Sequence, residues 1–334
     1  MRKIDIYAHV LPQRTMEAIR ERVPQASRTY EWFVAHTPSL TDIDARLRVI
    51  DPFEEYQQVL TMVAPPLEPL VEAKVLTDLV RLANEEMADL VARYPDRFVA
   101  FVAALPLSDI EASLKETDRA IKHLGARGVQ LFTNINGVPL DEPRFLPIFE
   151  KMAEYDLPIW VHPFRSPRMS DYPTEPRSLY FAWRIFGWPY ETTVSLTRLV
   201  FAGYLKRFPN LKIIAHHAGG LLPYLGERAR DHYDEVLLWE EEMQPIKQAL
   251  GKHPVEYLRM VYGDTALNGS QPALACALAF LGSERLLFGS DFPFDIKLGA
   301  KVIASTIRSV EGLPIEAAAR EEIFSGNAAR LLKL

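Results

Sequence analysis

A single cysteine, Cys276, in 334 residues leaves the chain no internal disulfide and no thiolate zinc cluster. That cysteine lies in an apolar helical run. Long apolar runs are scarce as well: the longest, 272–281, is well short of the ~20 residues that span a bilayer. Asp5 and His9 interrupt the N-terminal segment, so it lacks the apolar core of a signal peptide. No block of like charge stands out, and a net charge of −6 argues against nucleic acid or an anionic membrane as partner. A glycine-rich phosphate loop after the first strand is also missing, which disfavours a doubly wound nucleotide-binding sheet. These absences point to a cytoplasmic enzyme or binding protein that acts on small molecules.

What is present is a recurrence of short apolar segments: 4–9, 57–63, 98–104, 128–132, 157–162, 211–216, 258–262 and 285–289. Each precedes a helical pattern, at 41–55, 70–94, 109–124, 143–155, 191–207, 221–250 and 271–281 in turn, with two after the last at 297–310 and 314–332. The segments are mostly continuous rather than alternating, as parallel strands covered on both faces are. Pro65 and Pro66 close the second. Eight strand–helix pairs predict an α/β fold, a (β/α)8 TIM barrel, with residues 1–334 as one domain. Residues 163–190 interrupt the series with an irregular stretch rich in Pro, Arg and aromatics, and read as an active-site lid.

Polar residues gather where these strands end. Tyr7 and His9 close the first strand, two apart and so on one face. His162 closes the fifth, His216 and His217 the sixth, and Asp264 and Asp291 follow the seventh and eighth. In a barrel all strand C-termini meet at one mouth. Neutral imidazoles and an ionised carboxylate around an open position suit a catalytic divalent cation. A metal-free arrangement is the alternative, with His216 and Asp291 as an acid–base pair and His9 and His162 as hydrogen-bonding groups.

Taken in order, these motifs resemble the amidohydrolase superfamily, in the amidohydrolase 2 branch with aminocarboxymuconate-semialdehyde and γ-resorcylate decarboxylases. The signposts are Ile4 to Pro12, Gly187 to Thr193, Phe208 to Gly220, Pro223-Tyr224 with Arg228, and Leu287 to Phe294. The resemblance implies one divalent metal ion, Zn or Mn, held by His9, His162 and Asp291. It makes His216 the residue that activates water or handles the proton and Arg228 the group that binds a substrate carboxylate, so that His216, Asp291 and Arg228 form the catalytic set. Tyr7 departs from the pattern, since the family places His or Glu there; it is expected to ligate, to bond metal-bound water or to touch substrate.

Asn134, Trp188 and Asp264 are further substrate-binding candidates, although Asp264 could instead position His216 or cap a turn. Strand periodicity points His217 away from His216, into the barrel wall. The expected activity is non-oxidative decarboxylation of a small aromatic or unsaturated carboxylic acid. The alternatives are metal-dependent hydrolysis of a lactone, ester or amide, and a metal-free binding protein that lost its centre through Tyr7. A homodimer through the helices around 191–240 is also expected, with no nucleic-acid or membrane partner.

Overall fold

The computed structural model describes residues 1–64 and 66–334; Pro65, expected to end the second strand, lies outside the described residues. Eight parallel strands are present: β1 Lys3–Val10, β2 Tyr56–Met62, β3 Phe98–Phe101, β4 Val129–Phe132, β5 Ile159–His162, β6 Ile213–Ala215, β7 Tyr262–Asp264 and β8 Leu286–Leu287. β1 to β3 form one sheet and β4 to β8 another. Isolated parallel bridges join them at two seams, Ala103 with Val129 and Ala8 with Phe292. Backbone bonds reinforce both, from Gln130 N to Ala103 O at 2.9 Å and from His9 N to Phe292 O at 2.8 Å. These bridges and bonds lie just beyond the ends of β3 and β8 and link the two sheets, an arrangement of the TIM-barrel type.

Side chains fill the interior. Ile4, Ile6, Val59, Ala100, Trp160, Ile214 and Leu287 pack together, and Ala328, Leu331 and Leu332 of the C-terminal helix join them. Trp160 crosses the ring to donate from Nε1 to Ile6 O at 3.0 Å. Its indole needs Gly128, because a Cβ there would lie 2.5 Å from the ring. Outside, helices such as Ala73–Arg93 and Gln271–Leu281 bury one face against the strands. No described helix is long and apolar enough to cross a membrane.

One strand was misplaced from sequence. The apolar segment 258–262 is not the seventh strand: Pro254–Leu258 is helical, with His253 capping Val255 N and Pro254 in the first turn, and β7 starts at Tyr262. The helices expected over 221–250 are Leu222–Trp239 and Gln244–Leu250. Within 163–190 a short helix spans Ala182–Ile185, and the helix expected from 191 already starts at Gly187.

The strand that opens the chain is held unusually firmly at its functional end. Its register with β2 slips between Asp5 and Ala8, a bulge that re-aims the residues beyond it. Arg46, from helix Ile43–Ile50, is fully buried and donates to His9 O at 2.7 Å, Ala8 O at 3.2 Å and Gln58 at 2.8 Å. Asp5 accepts from the backbone N–H of both Tyr7 and Ser290, and from the Tyr56 hydroxyl. Burial pushes its carboxyl up to about 6 even so. These bonds tie the last turn of β1 to the segment carrying Asp291.

Candidate active site

The mouth of the ring brings together residues far apart in sequence. One ring nitrogen from each of His9, His162 and His216 lies within 4.8 Å of the others, and all three side chains are buried. Asp291 Oδ1 stands 3.2 Å from His9 Nε2 and 3.4 Å from His216 Nε2. A second cluster of the same closeness comprises His216, His217 and Asp291. Asp291 is the one carboxylate in the cluster with appreciable solvent exposure, about a fifth of its side chain. Its backbone φ of 63° is left-handed, a conformation that costs a non-glycine residue energy and recurs at functional sites.

Backbone carbonyls set the tautomers. His162 Nδ1 donates to Pro163 O at 2.7 Å, and His9 Nδ1 lies 3.4 Å from Met62 O, with Thr61 Oγ1 at 3.2 Å. A proton on each Nδ1 leaves the Nε2 lone pair for the mouth, as for histidines that bind metals. Burial, with the neighbouring His216, holds His162 well below the usual histidine range, and burial outweighs Asp291 to lower His9. Both imidazoles are therefore neutral near pH 7. Apart from its 3.2 Å contact with Asp291, the buried His9 Nε2 has no hydrogen-bond partner among the described residues. A lone pair left orphaned beside two further imidazoles and a carboxylate fits a divalent cation.

His216 differs. Its Nδ1 bonds the buried Asp264 carboxylate, which also accepts from the backbone N–H of His217, Ala218 and Ala266 at 3.0–3.1 Å. Burial disfavours the charged imidazole, but Asp264 and Asp291 outweigh it and push His216 up to about 9. Of the two roles foreseen for Asp264, this structure has it positioning His216. In the metal-free protein the raised value has a signed consequence. Stability from protonated His216 is complete below its ordinary pKa of 6.5 and fades as pH rises to about 9. Chelator-treated protein is expected to lose up to about 3 kcal/mol across that window. Denaturant melts at both ends check this; equal stability at the two would contradict the His216–Asp264 pairing.

Tyr7 is fully buried, and its ring stacks on His216 with centroids 3.7 Å apart. Burial, together with Asp264 and Asp291, pushes the phenol well above its ordinary value, so the hydroxyl keeps its proton. That hydroxyl has no hydrogen-bond partner among the described residues. Tyr7 is thus a neutral donor rather than a phenolate.

His217 does not point away from His216. β6 ends at Ala215, and left-handed φ values at His217 and Ala218, 54° and 55°, turn the chain so that the two imidazoles stack at 3.8 Å. The strand-periodicity reading fails because the strand has already ended. His217 Nδ1 bonds Ala266 O at 2.9 Å, and burial with His216 pushes its pKa down to about 4.

Trp188 lies edge-on to His162, 5.4 Å between centroids, and donates from Nε1 to Arg165 O. Phe294 flanks His9 at 5.5 Å and Phe132 flanks His162 at 5.6 Å, so aromatic rings wall the cluster on several sides. Asn134 spends its amide on Phe164 O and its carbonyl oxygen on Gly137 N. Arg228 stands exposed on helix Leu222–Trp239, with no side-chain ion pair or hydrogen bond among the described residues. Arg184, not singled out from sequence, is the cation over Trp188 and Phe294.

The model of the amidohydrolase family matches residues 4–334. The chain belongs to the amidohydrolase family. Within it, a γ-resorcylate decarboxylase of Rhizobium radiobacter is 31% identical over 310 residues, covering 88% of each chain. A 2-amino-3-carboxymuconate-6-semialdehyde decarboxylase of Dictyostelium discoideum is 28% identical over 88% of this chain and 77% of its own. A dihydroxybenzoic acid decarboxylase of Polaromonas sp. JS666, solved with manganese and 2-nitroresorcinol, superposes with a TM-score of 0.79. It is 27% identical and covers 100% of this chain and 97% of its own. The amidohydrolase-family resemblance seen in the strand-end motifs thus extends through the whole fold.

Proposed function

We propose that the protein is a metal-dependent, non-oxidative decarboxylase of a small aromatic carboxylic acid. The arrangement that carries the reading is a pair of neutral imidazoles, His9 and His162, facing the mouth beside a third, His216, that is held protonated by Asp264. His9, His162 and Asp291 would hold one divalent cation, manganese in line with the Polaromonas relative, or zinc. That cation supplies positive charge that polarises a substrate oxygen and favours negative charge developing on the ring.

The chain's own residues do the rest. Trp188, Phe132 and Phe294 seat an aromatic ring and exclude water from the bond that breaks. As the carboxyl carbon leaves as CO2, the bonding electron pair stays on the ring carbon. His216 then gives that carbon a proton from Nε2 and regains one from solvent, and no electron acceptor is needed. Asp264 keeps His216 oriented and charged for this transfer. Tyr7 Oη, buried and unpartnered, donates to a substrate oxygen. Arg228, exposed and with no side-chain partner among the described residues, is left to take a carboxylate from an approaching subunit or ligand.

The relatives named above are decarboxylases, which weighs against lactone, ester or amide hydrolysis; the orphaned His9 lone pair weighs against a binding protein without metal. We also place the protein in the cytoplasm, where its one free thiol, Cys276, stays reduced. We further propose a homodimer, favoured by exposed Phe181, Phe186, Tyr190, Tyr224 and Trp239. CO2 release from a panel of hydroxybenzoic acids, beside ester and lactone substrates, tests the activity. CO2 is expected from at least one acid, abolished by a chelator and restored by Mn2+ or Zn2+. Ester or lactone turnover without CO2, or turnover indifferent to chelation, would overturn the reading.

A further inference from the structure

The aromatic wall carries a charge that the proposed reaction does not use. Arg184, in the short helix Ala182–Ile185, is half-buried, with its guanidinium 4.9 Å from the Trp188 ring and 5.8 Å from the Phe294 ring. Those two rings are the ones that flank His162 and His9. The guanidinium thus bridges the two walls of the mouth, one aromatic ring out from the histidines on either side. No carboxylate pairs with it among the described residues. Neighbouring Arg165, by contrast, is tied to Glu191 at 3.3 Å and to Asp171 at 4.0 Å.

A guanidinium stacked on aromatic faces keeps its in-plane N–H donors free for a planar anion. Stacking also holds the side chain in one place and strips part of its water, so an arriving anion gains more than it would at an exposed arginine.

Resting on the decarboxylase reading, we propose that Arg184 selects substrates bearing a second anionic group, which it binds while the reacting carboxylate lies over the histidine cluster. The reacting carboxylate is a poor match for Arg184. Holding it in an ion pair would stabilise the ground state and oppose its departure as neutral CO2. A non-reacting carboxylate or phenolate on the far side of the ring suffers no such conflict. Its binding energy remains throughout the reaction and orients the ring.

Calorimetric titration of the Mn2+-loaded protein with benzene-1,3-dicarboxylate and with benzoate tests this. Wild type is expected to bind the dicarboxylate at least about tenfold more tightly than benzoate, the span of one charge-assisted contact. Arg184→Met should remove that preference and leave benzoate binding within about twofold, with metal content and thermal midpoint unchanged; Arg184→Lys should retain part of it. Equal weakening for both ligands would overturn the proposal, since it would mean that the residue only shapes the wall. An unchanged dicarboxylate preference would overturn it as well. The two readings separate cleanly. CO2 release with no role for Arg184 in dicarboxylate binding refutes this inference alone. Loss of dicarboxylate preference in a protein that decarboxylates nothing refutes the reaction and leaves the anion site standing.

Discussion

His162→Ala is expected to cost the protein its bound metal and to lower kcat/KM by roughly a thousandfold or more, the scale of removing several kcal/mol of charge stabilisation. The side chain is buried at the tip of β5, its Nδ1 bound to Pro163 O, and its Nε2 has nowhere to face but the mouth. Alanine would leave His9 and Asp291 as the remaining members of the proposed ligand set, a weak pair for an ion that prefers three or four protein donors. Wild-type protein should also gain thermal stability when Mn2+ is added, because a ligand that binds only the folded state stabilises it; the variant should gain little. Elemental analysis with a CO2 assay checks both effects. His36→Ala, on an exposed helix end, serves as the control and should change neither. A His162→Ala protein with a full equivalent of metal and undiminished turnover would remove His162 from the centre.

Asp264→Asn is expected to lower kcat by about a hundred- to ten-thousandfold while leaving metal content near that of wild type. The carboxylate accepts from His216 Nδ1 and from three backbone N–H groups, and it holds the imidazole charged. An amide of the same shape offers one acceptor oxygen where two are in use. It also puts an N–H where His216 needs an acceptor. His216 would then lose its proton at lower pH, so the alkaline limb of the kcat profile should move toward neutral. Steady-state rates across pH measure both effects. A variant with kcat within threefold of wild type and an unmoved alkaline limb would show that Asp264 does not act through His216.

The fold was legible because parallel strands buried on both faces leave continuous apolar runs, and seven of the eight strands fall on the segments so marked, none overrunning its segment by more than one residue at either end. The seventh was misplaced because a short apolar run reads equally well as strand or helix, and Pro254 with His253 decides for helix. Strand-end histidines stood out since a polar ring at the tip of an apolar run has few structural reasons to be there. His217 was misjudged because side-chain alternation holds only while the strand lasts, and β6 stops at Ala215. Arg46 and Asp5 escaped notice for another reason. A charged residue in a polar helix or strand reads as a surface residue, and only the fold reveals that Arg46 is buried against the carbonyls of Ala8 and His9. Arg184 was hidden in the irregular segment, where no periodicity says which side chain turns inward; the cluster Ala182-Trp183-Arg184 with Trp188 was the available signal. Tyr7 was flagged by its departure from the family motif, and burial accounts for its remaining a neutral phenol.

The central claim is that a single ion sits among side chains delivered by β1, β5 and the segment after β8. Anomalous diffraction from crystals grown with Mn2+ tests it most directly. The account predicts one strong peak within bonding reach of His9 Nε2, His162 Nε2 and an Asp291 oxygen. A peak elsewhere in the molecule, or no peak from protein that turns over substrate, would contradict it.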